Sequence, residues 1–310
     1  MAEKVQHTPQ SRPAVATVTT IAPTGGWVTV ARFYHLLIAL VGTVTLVTTL
    51  TVAMTAENNG GALNGAVFSL SYFTIWSNIL TMVVTWWLVA RPTADSAMFR
   101  WLRLTTLVMI TVTGLVYAIV LAPLADPQGI NVYTNAGLHY FVPWTTVLGF
   151  LLFGPRPRFR VVDVWKMLII PVIWLAYTLL RGLLLVTPPV NQQELDQTGP
   201  QHWYPYPFID AEEPSALVPG LEYPGYAGVG VNIFFILLLG LFFGFLFLGL
   251  DRLLSGGRKP PPLPGAPSAG APEPNDAASQ APASQALPTQ ETKPAHDTTA
   301  DQDQQGPTNT

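Results

Sequence analysis

Six apolar blocks, near 33–54, 68–90, 101–124, 137–153, 165–186 and 229–250, alternate with short polar stretches along the chain. At a rise of about 1.5 Å per residue, blocks of this kind span a hydrocarbon layer as helices. The pattern predicts an all-α membrane bundle of six transmembrane helices. The fourth block is the shortest and weakest, but the chain needs it to return to the side that the following charges imply. Polar segments flank the bundle at 1–32 and 251–310, and both are expected to be disordered and cytoplasmic. The tail is rich in Pro, Ala and Gln and lacks the apolar surface to offset its ordering entropy. Within it, Pro260-Pro261-Pro262-Leu263-Pro264 reads either as a spacer or as a ligand for a polyproline-binding partner. The first block is longer than the apolar core of a signal peptide, so a retained anchor is expected. Neither an internal repeat nor paired interrupted helices mark a transporter built from inverted halves.

Composition narrows the class. Hydrophobic residues make up 49% of the chain and charged ones 11%, against roughly 25% charged in soluble domains. A soluble enzyme is excluded. A nucleic-acid partner is excluded too, because the net charge is -3 and nearly every base flanks an apolar block. With no cysteine there is no disulfide, thiolate metal site or Cys nucleophile. Lys4, Arg12 and Arg32 precede the first block, and Arg91, Arg100 and Arg103 lie between the second and third. Arg156, Arg158, Arg160 and Lys166 lie between the fourth and fifth, and Arg252, Arg258 and Lys259 follow the sixth. The alternate loops, 55–67, 125–136 and 187–228, contain no Lys or Arg and carry carboxylates instead. The positive-inside rule then predicts cytoplasmic termini and three outer loops in a cell membrane.

Polar side chains within the blocks mark candidate sites, because each is costly in hydrocarbon. Ser71, Thr74 and Asn78 are spaced to share one helical face. Thr74 is expected roughly 9 Å below the outer boundary. Such residues also serve simply to join helices. His139 opens the fourth block within Asn135-Ala136-Gly137-Leu138-His139. A neutral imidazole can take a proton from a hydroxyl, or merely bond a loop carbonyl. Arg181 is the one base outside the cytoplasmic set. Trp174, Tyr177 and Arg181 share a face, and snorkelling to the headgroups is the plain account of the cation. Its position against the charge bias also asks for a partner: Asp210 or Glu222 of the acidic third loop, a headgroup phosphate or a substrate carboxylate. That loop also holds His202-Trp203-Tyr204-Pro205-Tyr206-Pro207-Phe208, an aromatic belt or a stiff lid.

Thr74, Asn78, His139, Tyr177, Arg181 and Asp210 thus converge on the outer side. A hydroxyl, a base and a cation are the parts of a nucleophilic hydrolase, with Asn78 or Arg181 to stabilise an oxyanion. No cofactor is implied. Metal is disfavoured because no His pair falls at helical spacing and no carboxylate lies within the blocks. Tyr72-Phe73-Thr74 with Asn78, Asn135-x-x-x-His139 with Pro143, and Tyr206-Pro207-Phe208 with Asp210 occur in that order. Over roughly residues 33–250 this resembles the androgen-induced membrane protein family and its bacterial six-span relatives. The animal members are threonine hydrolases of fatty acid esters of hydroxy fatty acids. The resemblance implies Thr74 as nucleophile, His139 as its partner, a lipid ester substrate and a bacterial plasma membrane. The animal proteins lack the long Pro-rich tail and have a shorter third outer loop, and the role of Arg181 does not transfer from them. Three other readings stay open at this point. One is a lipid-binding or small-solute transport protein without chemistry, the second is a membrane anchor whose tail recruits partners, and the third is a purely structural membrane protein.

Overall fold

A computed structural model describes residues 25–56, 61–153, 156, 159–184, 202–212 and 214–256. All of them fall in the first of two compact units, Met1–Leu263; the second is Pro264–Thr310. The expected polar segment up to residue 24, the tail from 257 onward and its polyproline stretch lie outside the described residues.

The described chain is helical, with no strand. In order it forms α1 (Gly26–Thr55), α2 (Ala62–Ser69), α3 (Phe73–Ala90) and α4 (Ala97–Val116), which continues through a π turn at Tyr117–Leu121 and a 3-10 turn at Ala122–Leu124. Next come α5 (Ile130–Ala136), a π turn at Gly137–Phe141, α6 (Val142–Leu152), α7 (Val161–Lys166), α8 (Ile169–Leu184), a 3-10 turn at Pro207–Ile209 and α9 (Gly225–Leu254). Five helices are long and apolar enough to cross a membrane: Gly26–Thr55, Phe73–Ala90, Ala97–Leu124, Val161–Leu184 and Gly225–Leu254. The expected fourth span is the helical run 130–152, which is less apolar because it carries Asn131, Thr134, Asn135, His139 and Pro143. Two boundaries differ from expectation. Helix α1 begins at Gly26 and α9 runs on to Leu254, so part of each supposed polar flank is helical. At the far end of α9 the reason is Asp251, fully buried, whose Oδ2 accepts from the Phe159 N–H at 3.1 Å.

Helix α4 lies at the centre, with every residue from Leu104 to Gly114 buried. It packs against α3, α6, α7 and α9, while α1 packs along α3. The outward faces of α1, α8 and α9 stay apolar and exposed, as at Phe33, Val44, Leu180 and Phe242. That is the surface of a membrane protein, where lipid replaces water. Threonines inside the helices direct their hydroxyls to the carbonyl one turn back, as Thr45 does to Val41, Thr81 to Ser77 and Thr111 to Leu107. A hydroxyl satisfied in this way is cheap in hydrocarbon.

The second block is not one helix. It breaks at Leu70–Tyr72, with no Pro or Gly at the break. In an unbroken helix the carbonyls of Leu70 and Ser71 would accept from the backbone of residues 74 and 75. Instead Trp76 Nε1 donates to Leu70 O at 2.7 Å. Trp174 Nε1 and Thr178 Oγ1 donate to Ser71 O at 2.9 and 3.2 Å. Side chains have taken the acceptors that a continuous helix needs. Ser71 therefore lies in the turn and not on the Thr74 face.

The segment 202–224 closes this end of the bundle. Its aromatic residues Tyr204, Tyr206 and Phe208 are buried against Trp174 and Val229. Asn232 of α9 pins it, donating to the carbonyls of Phe208 and Ser215 and accepting from the Leu217 N–H, each at 2.9 Å. Asn232→Leu would leave three buried backbone groups unpaired, so a loss of about 2 kcal/mol is expected. Circular dichroism melting in detergent should show the midpoint fall by several degrees. An unchanged midpoint would show that the pin carries no stability.

Candidate active site

Because α3 begins at Phe73, Thr74 sits in its first turn, and residue 70 lies outside that helix. Thr74 thus has no carbonyl one helical turn back to bond, unlike the threonines of the helix interiors. Its Oγ1 instead meets His139 Nε2 at 3.1 Å. The imidazole is fixed from its other side: Nδ1 lies 3.1 Å from the Asn135 carbonyl oxygen. A carbonyl can only accept, so Nδ1 carries the hydrogen and Nε2 presents its lone pair to the Thr74 hydroxyl.

Tyr117 holds the ring in place. Its phenol ring stacks on His139, with centroids 3.7 Å apart and planes 16° from parallel. The Asn135 side chain donates to the Tyr117 hydroxyl, so Asn135 grips the imidazole through its backbone and the stacking ring through its amide. Both residues of the stack lie in π turns, His139 in Gly137–Phe141 and Tyr117 in Tyr117–Leu121. Single π turns recur at functional sites because the extra residue re-aims side chains. Gly114 lets α4 approach: a Cβ there would lie 3.1 Å from the His139 carbonyl oxygen.

Tyr206 reaches in from the 202–224 segment, and its hydroxyl oxygen accepts from the Thr74 N–H at 3.4 Å. That N–H is one of the first-turn donors with no partner inside its own helix. Burial pushes the Tyr206 phenol up to about 12, against hydrogen bonds from Thr74 that favour the anion. It therefore stays protonated.

Thr74 and Tyr206 stand at one end of a cavity of about 140 Å³, walled mainly by aliphatic and aromatic side chains of α4, α8 and α9. Along α4 the lining runs from Tyr117 to Thr105, about 18 Å at 1.5 Å per residue. Val172 of α8 and Leu237 of α9 line it too, and both remain exposed on the outside of the bundle. The slot is thus open sideways between those helices.

The other expected site residues lie around this pair in different roles. The Asn78 amide donates to the carbonyls of Thr74 and Leu138 at 2.9 and 3.3 Å, tying α3 to the His139 turn. Its hydrogens are not available to an oxyanion. The Tyr177 hydroxyl donates to Val67 O at 2.9 Å, part of the grip of α8 on α2. Arg181 is buried between Phe68 and Trp203, its guanidinium carbon 5.1 and 4.6 Å from their ring centres. Asp210 Oδ1 accepts from the Glu212 N–H and Glu222 Oε1 from the Gly220 N–H. No ion pair joins either carboxylate to Arg181 among the described residues, where the recorded pair is Arg100–Asp95. Tyr117 and Asn232 were missed from sequence, since an isolated Tyr and an isolated Asn inside apolar blocks carry no motif. Among the described residues no three metal-capable side chains gather.

Comparison of the chain with protein-family models, with curated proteins and with solved structures finds no match. The site therefore rests on its own geometry. Nitrogen-15 spectra of histidine-labelled protein in detergent at neutral pH should show His139 with Nδ1 protonated and Nε2 bare. The opposite tautomer would remove the base from Thr74.

Proposed function

We propose that the chain is a six-span membrane protein with cytoplasmic termini that hydrolyses long-chain acyl esters, Thr74 serving as nucleophile and His139 as base. One observation carries this reading: a threonine hydroxyl with no helix carbonyl to bond, 3.1 Å from an imidazole nitrogen whose tautomer makes it an acceptor. In this topology the run 130–152 is the fourth span, and the charge asymmetry puts the 202–224 segment outside. The slot supports an acyl chain as the group bound. Its run of about 18 Å along α4 and its apolar walls suit an alkyl chain. A lipid would enter sideways past Val172 and Leu237. The resemblance to the androgen-induced membrane protein family supports the same nucleophile and base.

The chemistry follows from the geometry. Thr74 Oγ1 attacks the ester carbonyl carbon while His139 Nε2 takes its proton. Negative charge gathers on the former carbonyl oxygen beside the positive end of α3, where the Tyr206 hydroxyl can donate to it. Collapse breaks the bond to the alcohol, which leaves with the proton from His139. Water then attacks the acyl-threonine, gives its proton to His139, and the acid departs as Thr74 Oγ1 recovers the proton. The Asn135 carbonyl supports the imidazolium of each step through Nδ1.

A fluorophosphonate probe should label detergent-purified wild type, with labelling rates at least about a hundredfold lower in His139→Ala and labelling abolished in Thr74→Ala. Folded wild type that remains unlabelled would favour a lipid-binding protein without chemistry. Gly240 lines the slot well away from Thr74, and a Cβ there meets nothing within 4 Å. Gly240→Leu should therefore shorten the slot without disturbing α9. Hydrolysis of long-chain esters should fall about tenfold while short-chain esters are spared. Equal loss on both would mean that the slot does not hold the acyl chain.

A further inference from the structure

Arg181 is the least explained charge in the bundle. Its side chain is 4% exposed, and Nε, Nη1 and Nη2 are buried and meet no hydrogen-bond acceptor among the described residues. Phe68 and Trp203 offer only ring faces, which offset part of the cost of a desolvated cation. The planar fork of N–H donors, built to grip an oxyanion with two parallel bonds, remains unanswered. A buried guanidinium left in this state is costly, and a ligand anion would relieve that cost.

Position indicates which anion. Helix α8 runs antiparallel to the chain through α2 and the turn that follows it, since Trp174 and Thr178 reach Ser71 while Tyr177 reaches back to Val67. Trp174 packs on Phe73, next to Thr74, with ring centres 4.9 Å apart. Arg181 lies two turns further along, about 10 Å towards the 202–224 end. A series of ring contacts links the two places: Trp203 meets Arg181 at 4.6 Å and Tyr72 at 5.7 Å, and Tyr72 meets Tyr206 at 5.9 Å. In a glycerophospholipid about five bonds separate phosphorus from an acyl carbonyl carbon, ~6 Å when extended. A phosphate gripped by a guanidinium adds ~4 Å to the guanidinium carbon, which spans the gap.

We infer that Arg181 is a binding site for the phosphate of the lipid, set one headgroup length from the scissile ester, so that the enzyme takes phosphate-bearing acyl esters. This rests on the hydrolase reading for the ester, while the anion site stands on Arg181 itself. Acyl chain in the slot, ester at Thr74 and phosphate at Arg181 then lie in the order in which they occur along one lipid molecule.

The test uses single-chain ethers, which contain no bond to hydrolyse: an alkyl glycerol phosphate, the neutral alkyl glycerol and a carboxylate analogue with the same chain. Binding to full-length protein in nonionic detergent is measured by titration calorimetry for wild type, Arg181→Lys and Arg181→Gln. The phosphate ether should bind wild type about tenfold or more tightly than the neutral ether. Arg181→Lys should keep part of that preference. Arg181→Gln should lose it while holding the neutral ether as wild type does, which also reports an intact fold. Equal affinity for phosphate and neutral ethers in wild type would overturn the inference. So would a preference that survives in Arg181→Gln, or tighter binding of the carboxylate than of the phosphate. Failure of ester hydrolysis would leave these outcomes untouched, so the two readings fail separately.

Discussion

The break at Leu70–Tyr72 is the constraint on which the rest depends. A continuous helix through the second apolar block would enclose Thr74 in its interior, with its hydroxyl bonded to the carbonyl one turn back, as at Thr81. Three side-chain donors prevent that by occupying the carbonyls of Leu70 and Ser71. The chain restarts at Phe73, Thr74 falls in a first turn, and its hydroxyl turns to His139. The same break leaves the Thr74 N–H without a partner in its helix and so brings Tyr206 to the site.

From that point the site is assembled by parts that hold one another. Helix α8 supplies two of the three donors that make the break and, one turn on from Thr178, the buried cation. The 202–224 segment supplies Tyr206 beside the hydroxyl and Trp203 against Arg181, and Asn232 keeps the segment seated. Tyr117 and Asn135 orient the imidazole from two sides. Polar residues here serve two purposes: most satisfy backbone groups where no water is present, and a few are left facing the slot.

Much of the architecture was legible in the sequence. The apolar blocks located the long helices, because a 30-residue run such as Gly26–Thr55 has no other stable disposition in hydrocarbon. Thr74 and His139 were singled out by residue type, by motif order and by the side to which the charges assigned them. Asn78, Tyr177 and Asp210 were grouped with them by the same reasoning. Their bonds to Leu138, Val67 and the Glu212 N–H show why spacing was not enough. A polar group of suitable chemistry on a suitable face is as readily engaged by the backbone as by a substrate.

By itself the sequence determined that this chain is a helical membrane protein, and it located the polar residues that such a protein must either satisfy or use. Hydropathy and charge are summed over many residues, so no single contact can reverse them. Only the tertiary structure decided which hydroxyl is left without a backbone acceptor, which imidazole nitrogen faces it and which cation is buried between aromatic rings. Those outcomes depend on single hydrogen bonds between residues a hundred positions apart, as between Trp174 and Ser71, and no local pattern encodes them.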